Sequence, residues 1–400
     1  SNEPSDFNIG DILYSEISKY QLGKLVSQGT VGKVVNCIKL DTIEIVSVKI
    51  VFRNYTRFGK NELAVLKQLQ KLDTDKYNLV RLVDNFMHRG HVCLAFEKLD
   101  MSLLELMRKR FSNPLSLSEI RVVSQQILVA LDALKNIGLA HGYINANNVR
   151  FVNHESEPFR LKLYDFRSAF PVQTKCGLVF EDIGYNAPEI ILGLPLNEAI
   201  DMWSLGCVLA YACMGDHLYP TNCQYQMMRI IVKMHDEYNL RTGYETRKIS
   251  GISDTFTSLD DICVAMKKDS DCKDTQAFLS LLKSLLQFDP EKRITPTEAL
   301  RHCFITGVDI NDANDENSPV LTTADSKSEY EVMRLIVQML GQPDKRLLNH
   351  GLRTGEFFTK DSFSRFAPWR MKTPSEYIIT TGSVITECQG ISTTFTGLDD

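Results

Sequence analysis

Four hundred residues, 44% hydrophobic and 24% charged, are enough for a sizeable core, either two or three domains or one large two-lobed one. The 45 basic and 50 acidic residues leave a net charge of −5, which gives no electrostatic case for nucleic acid or an anionic membrane as the main partner. No run of eighteen apolar residues occurs, so no transmembrane helix is expected.

The N-terminus "SNEPSDFNIG" has no apolar signal core and does not open on Met, which reads as a fragment or a processed form. Residues 1–19 read as a lead-in. From Tyr20 the pattern is β: "YQLGKLV", "KVVNCIKL" and "IEIVSVKIVF" are short β-branched runs separated by turns. "GKNELAVLKQLQKL" switches to helical spacing, with Leu63, Leu66 and Leu69 or Leu72 on one face. The strand-like runs "NLVRLVDNFM" and "HVCLAFEKL" complete a mainly antiparallel five-stranded sheet with one helix over residues 20–99.

Beyond residue 100 the chain becomes mostly helical. "SLSEIRVVSQQILVALDALKNIG" carries an apolar stripe of Ile120, Val123, Ile127, Leu131 and Leu134; Ser116 or Ser118 can cap its start and Gly138 can end it. "AIDMWSLGCVLAYACMG" is apolar nearly all round and predicts a central buried helix. "TQAFLSLLKSLLQFDP" predicts another, stopped before Pro290.

Residues 307–327 are acidic, polar and poor in apolar side chains, the composition of a linker. A partial repeat follows over 328–400. "YQMMRIIVKM" (225–234) returns as "YEVMRLIVQM" (330–339), "LRTG" at 240–243 returns at 352–355, and "ISDTFTSLDD" (252–261) returns as "ISTTFTGLDD" (391–400) with eight of ten positions identical. The second copy carries an extra middle, "FFTKDSFSRFAPWRMKTPSEY". Two copies are too few for a solenoid and suggest the duplication of one segment. The ten cysteines are scattered without a C-x-x-C pair, which predicts reduced and mostly buried thiols of a cytosolic or nuclear protein.

Single motifs are weak. "LVSQGTVGKVV" places Ser27, Gly29 and Gly32 in a hairpin of small residues, which could let backbone N–H groups approach phosphates or could be a plain turn. Lys49 sits on an otherwise apolar strand, where a Lys is usually solvated; thirteen residues on, Glu62 is read as opening the helix. The order of the pieces carries more. Gly-rich hairpin, V-x-V-K strand, helix with Glu, long helices, His141-x6-Asn148, "YDFR", "APE" and "DMWSLG" follow the protein-kinase signature order.

Residues 20–306 therefore resemble a protein kinase, with an N-lobe over 20–99 and a C-lobe over 100–306. The expected fold is α+β and two-lobed, a small β-rich lobe on a larger helical one. "DKYNLVRLVDNF", "HVCLAFEKLDMSLLELM", "APEIILGLPLNEAIDMWSLGC" and "PWRMKTPSEY" look like the homeodomain-interacting protein kinases, of the group that includes the dual-specificity tyrosine-regulated and cyclin-dependent kinases. By that resemblance, residues 221–261 look like a shortened form of the group's insert and 328–400 like a fuller one. Lys49 matches the phosphate-binding lysine and Glu62 its helix partner. Phe96 matches the residue at the back of the adenine pocket, with Glu97 to Leu99 as the hinge. Asn148 and Asp165 match the Mg²⁺ ligands, Glu189 and Arg293 a structural ion pair, and Asp201 the anchor of the catalytic loop.

The departures fall on the chemistry. The family reads H-R-D-L-K-P-E-N where this chain reads "HGYINANN". His141 is kept, Gly142 replaces Arg, Tyr143 replaces the catalytic Asp and Asn145 replaces the Lys. Arg167 stands where D-F-G has Gly, and Val179 where these kinases carry an activating Tyr. A positioned base is worth roughly 10²–10⁴ in rate. An unperturbed phenol, with a pKa near 10, cannot supply it at neutral pH. Losing the Lys removes a cation that offsets transition-state charge.

The expectation is a pseudokinase that still binds ATP and Mg²⁺ and acts as a regulatory or scaffold module. Its partners would be proteins, such as active kinases or transcription regulators of the same network, in the nucleus or cytoplasm, with no direct nucleic acid and no membrane. The alternatives are a weakly active serine/threonine kinase, since phosphoryl transfer leans on positioning and electrostatics, and a decayed product without a role. The joint survival of Lys49, Glu62, Asn148 and Asp165 argues against the last.

Overall fold

The computed structural model describes residues 7–172, 182–191, 194–221, 227, 230–231, 259, 262, 273–307, 358–360 and 369–381. It divides into two compact units, residues 1–312 and 313–400.

The first unit begins with a six-stranded antiparallel sheet. Its strands are β1 (Ile12–Tyr14), β2 (Lys19–Gln28), β3 (Gly32–Lys39), β4 (Glu44–Val51), β5 (Leu82–His88) and β6 (His91–Glu97), in the order β1-β2-β3-β4-β6-β5. The sequence pattern accounts for five of them. β1 lies inside the expected lead-in and pairs Ile12 with Gln21 and Tyr14 with Lys19. Alternation explains what each face does. On β4, Val46, Val48 and Ile50 enter a core with Leu13, Tyr20, Leu22, Val35 and Cys37. Ser47 and Lys49 fall between them and project from the opposite face. Helix α1 (Thr56–Leu69) packs on that sheet against β4 and β6. It starts earlier than its apolar spacing suggested, so Glu62 lies in its second turn instead of opening it.

The helical part follows. Helix α2 (Leu103–Lys109) is capped by Ser102 and Glu105. Helix α3 (Leu117–Asn136) starts at Ser116, whose hydroxyl accepts from Glu119 N at 3.2 Å while the Glu119 carboxylate accepts from Ser116 N at 2.7 Å. The stripe Ile120, Val123, Ile127, Leu131 and Leu134 is buried as its spacing predicts. Short strands β7 (Leu139–Ala140), β8 (Val149–Phe151), β9 (Leu161–Leu163) and β10 (Phe170–Pro171) pair as β7 with β10 and β8 with β9. They hold a loop, residues 141–148, against the short segment that follows β9. After α4 (Pro188–Ile191), helix α5 (Ala199–Met214) is buried from Ile200 to Cys213. Helix α6 (Lys273–Leu285) buries Phe278, Leu281, Leu282 and Leu285 and packs on α5, and α7 (Pro296–Leu300) and α8 (Cys303–Thr306) close this unit. No described helix is long and apolar enough to cross a membrane. Among the described cysteines, Cys37, Cys93, Cys207 and Cys213 are buried free thiols and Cys303 is a partly buried one.

In the second unit, β11 (Phe358–Lys360) pairs antiparallel with β12 (Trp369–Met371), and helix α9 (Pro374–Thr381) follows. Thr373 and Glu376 cap one another, and Arg370 grips the same carboxylate at 2.7 Å. Val179, the linker beyond Gly307 and nearly all of both repeat copies lie outside the described residues.

Candidate functional site

Four charged side chains from three places in the chain meet under the sheet. Lys49 Nζ on β4 donates to both Glu62 carboxylate oxygens, at 2.9 and 2.8 Å, and to Asp165 Oδ1 at 3.0 Å. Arg167 Nε lies 3.1 Å from Asp165 Oδ2. Burial pulls the Lys49 ammonium down, but Asp165 and Glu62 outweigh it and hold it above its ordinary value. Burial likewise works to raise the Asp165 carboxyl, and Lys49 and Arg167 overcome it, leaving it below the usual carboxylate range. Glu62 goes the other way, raised mainly by its own burial. Asp165 holds φ at 65°, a left-handed backbone that a non-glycine residue adopts at a cost of about 1 kcal/mol or more. Such strain persists only where surrounding contacts fix it, and here two cations do.

The loop between β7 and β8 is organised from α5. Asp201 accepts from the amides of His141 at 2.7 Å and Gly142 at 2.9 Å. Burial pushes the Asp201 carboxyl up to about 7 against the pull of those two amides. Gly142 has φ of 71°, and a Cβ there would stand 2.7 Å from the Ser168 carbonyl oxygen. Glycine is thus required by both dihedral and space, so the family's Arg does not fit this backbone. His141 Nδ1 accepts from Tyr143 N at 3.2 Å and Nε2 faces the Tyr164 carbonyl at 3.2 Å. Those partners assign the neutral ring with its proton on Nε2. Burial lowers that ring to about 4. Phe166 packs on it, ring centroids 4.7 Å apart.

Tyr143 is half-buried beneath the Arg167 guanidinium, which lies 4.6 Å from the ring centroid. Asn145, read from sequence as a lost lysine, has a structural role of its own. It is buried, and its Oδ1 accepts from Asn147 N at 2.9 Å and Asn148 N at 3.0 Å, an Asx turn. Asn148 Nδ2 in turn donates to the Tyr143 carbonyl at 2.8 Å. Asn148 is thereby fixed near the charge cluster with its amide nitrogen committed.

A cleft partly open to solvent is lined in part by Tyr164, the chain neighbour of Asp165, while Lys49, Glu62, Asp165 and Arg167 themselves stand off its lining. Glu97 and Leu99 line it, and buried Phe96 stands behind, edge-on to Tyr164 at 5.6 Å. Glu97 turns its carboxylate to Lys162, at 2.6 Å, and to the Arg81 amide, at 2.7 Å. Ser27, Gly29 and Gly32 form the β2–β3 turn, where Gly29 N donates to Gly32 O at 2.9 Å. Gly32 lies hard against the Ile50 carbonyl, leaving no room for a side chain. Ser27 and Gly29 are exposed, and none of the three is among the residues that line the cleft.

Sequence reasoning missed six lining residues: Val26, Val34, Asn36, Ser47, Arg150 and Tyr164. Period-two alternation could have found Arg150, because Val149 and Phe151 on either side are buried. Its guanidinium donates from Nε to the Asp100 carbonyl at 3.2 Å and lies 5.7 Å from the centre of the Tyr164 ring.

A family model described as "Protein kinase domain" matches residues 20–305 of this chain. The chain belongs to the protein kinase domain family. Its sequence is 36% identical over 351 residues to homeodomain-interacting protein kinase 2 of Mesocricetus auratus, covering 76% of this chain and 30% of that protein. It is 33% identical over 351 residues to homeodomain-interacting protein kinase 1 of Caenorhabditis elegans, covering 75% and 42%. It is 29% identical over 347 residues to the dual specificity protein kinase YAK1 homolog of Arabidopsis thaliana, covering 72% and 36%. The chain thus spans about a third of the length of the curated relatives it matches.

Within the kinase domain, Glu189 and Arg293 form a buried bidentate pair at 2.5 and 3.0 Å. Arg293 also donates to the carbonyls of Ala199, Gln287 and Phe288, and its guanidinium stacks 5.3 Å from Trp203. Asn148 and Asp165 are the donor types that Mg²⁺ takes when phosphates complete its shell. Among the described residues no group of three or more His, Cys, Asp or Glu side chains could hold a metal without such help. The donor types fit the ion. The charge balance fits less well, because Asp165 already faces two cations.

Proposed function

We propose that this kinase domain is a pseudokinase of the homeodomain-interacting type, which takes up ATP in the cleft and transfers its γ-phosphoryl very slowly or not at all. One contrast carries the reading. Lys49 contacts Glu62 at 2.8 Å and Asp165 at 3.0 Å, while Tyr143, at the loop position where the resemblance puts the base, lies under Arg167. Lys49 would meet the phosphates. Asn148 and Asp165 carry the donor types for a Mg²⁺ arriving with the nucleotide, but Lys49 and Arg167 already neutralise Asp165. Asn145 lends its side chain to the loop backbone, so it offers nothing to the transferred group.

The domain would then serve as a regulatory or scaffold module for protein partners in the nucleus or cytoplasm. Active kinases are one class of partner. Transcription regulators are another, a class suggested by the words "homeodomain-interacting" in the relatives' names. The buried free thiols support a reducing compartment. A second reading, a weakly active serine/threonine kinase, draws on the closed Lys49–Glu62 pair, which active kinases require.

Thermal denaturation with millimolar ATP and Mg²⁺, beside a peptide phosphorylation assay, tests both. The melting temperature is expected to rise, with phosphorylation no higher than that of Asp165→Ala. No shift would remove the nucleotide from the proposal. Robust transfer that disappears in Asp165→Ala would establish the second reading instead.

A further inference from the structure

Arg167 brings an extra cation to the one carboxylate that a nucleotide-bound metal would use. Lys49 Nζ donates to Asp165 Oδ1 at 3.0 Å and Arg167 Nε lies at ion-pair distance, 3.1 Å, from Oδ2, so each oxygen faces its own cation. The ring of Tyr143 lies 4.6 Å from the guanidinium. The Arg167 side chain keeps 31% of its surface exposed, against 12% for Lys49 and Asp165, so it is the cluster's most accessible cation.

The formal charges of Lys49, Arg167, Glu62 and Asp165 cancel. With an uncharged residue at 167 the same cluster would be net negative. A divalent cation is drawn to the second arrangement, whereas a polyphosphate is favoured by the first. A guanidinium suits a polyphosphate, because it is always charged and its planar fork matches phosphate oxygens. Asn148, the other donor, is neutral and cannot restore the metal's advantage.

We infer that Arg167 takes the place of the divalent cation as neutraliser of the phosphates, so that this cleft holds a nucleoside triphosphate without metal. The inference rests on reading the cleft as a nucleotide site. Lys49 and Arg167 then flank the triphosphate, and Asp165 positions both cations without acting as a metal ligand.

Equilibrium binding of ATP, measured by dialysis in excess EDTA and again in excess Mg²⁺, tests it on wild type, Arg167→Gly and Arg167→Lys. Wild type is expected to bind with affinities within about threefold of each other in the two conditions. Arg167→Gly should lose about tenfold or more in EDTA and regain it with Mg²⁺, while Arg167→Lys stays near wild type. Ligand-free melting temperatures close to wild type confirm that the variants fold. Wild-type binding that needs Mg²⁺ would overturn the inference and leave the nucleotide reading standing. Equal binding of wild type and Arg167→Gly in EDTA would also overturn it. No binding by wild type in either condition would overturn the nucleotide reading itself.

Discussion

The pair Glu189–Arg293 and the cluster of Lys49, Glu62, Asp165 and Arg167 use the same chemistry to different ends. In the first, both side chains are sealed, 1% and 0% exposed, and Arg293 spends its donors on a carboxylate and three carbonyls. In the second, Lys49 and Asp165 keep 12% of their surface and Arg167 keeps 31%. A closed ion pair with every donor met can only hold structure. An open one can exchange part of its partnering for a ligand. The departures from the kinase pattern fall around the open cluster, at Tyr143, Asn145 and Arg167, while the closed pair keeps both members.

The largest expected effect breaks the closed pair. Arg293→Ala strands the Glu189 carboxylate and should cost roughly 3–5 kcal/mol of unfolding free energy, read from the urea midpoint. Arg167→Ala, at a partly exposed position, should cost less than about 1 kcal/mol. Similar losses in the two variants would erase the distinction between closed and open clusters.

Next in size is the response to acid. His141 is neutral in the fold at about 4, against 6.5 in the unfolded chain, so the unfolded state binds the extra proton first. Its contribution is complete above pH 6.5 and is lost as pH falls toward 4. Asp201 acts with the opposite sign. Its folded value of about 7 stands above 3.8, so its contribution is complete below 3.8 and fades as pH rises through 7. Subtracting His141→Gln isolates the ring: the wild-type advantage over that variant should shrink by about 2 kcal/mol between pH 7.5 and pH 5. An advantage independent of pH would mean that the imidazole reaches water.

Much of this was legible in the sequence because it is local. Stripes at helical spacing, the Ser116–Glu119 box and the all-apolar run of α5 depend on residues within one element, and order along the chain placed Lys49, Glu62 and Asp165 in one site. What the sequence hid is set across long separations. The amides of His141 and Gly142 are held by Asp201, 60 and 59 residues away, and the space denied to a side chain at Gly142 belongs to Ser168. Strand β1 escaped because three residues are too few for alternation to register. Arg150 escaped because a charged residue on a short strand reads as solvated until the opposing Tyr164 is known.

Asn145 is the smallest and most discriminating case. Read as a vanished lysine, it should tolerate substitution. Read from its contacts, it satisfies two loop amides and so fixes Asn148 beside the open cluster. Asn145→Ala leaves those amides without their acceptor and should cost about 1–2 kcal/mol. Asn145→Asp keeps an oxygen in the same place and should recover most of that loss. Asn145→Lys, which restores the residue type of active relatives, should behave like Ala in stability, because an ammonium cannot accept from an amide. If Asn145→Lys were as stable as wild type, the loop would be free to return to the kinase arrangement. If it destabilises as Ala does, the loop has exchanged a group for transferring phosphate for one that holds its own backbone.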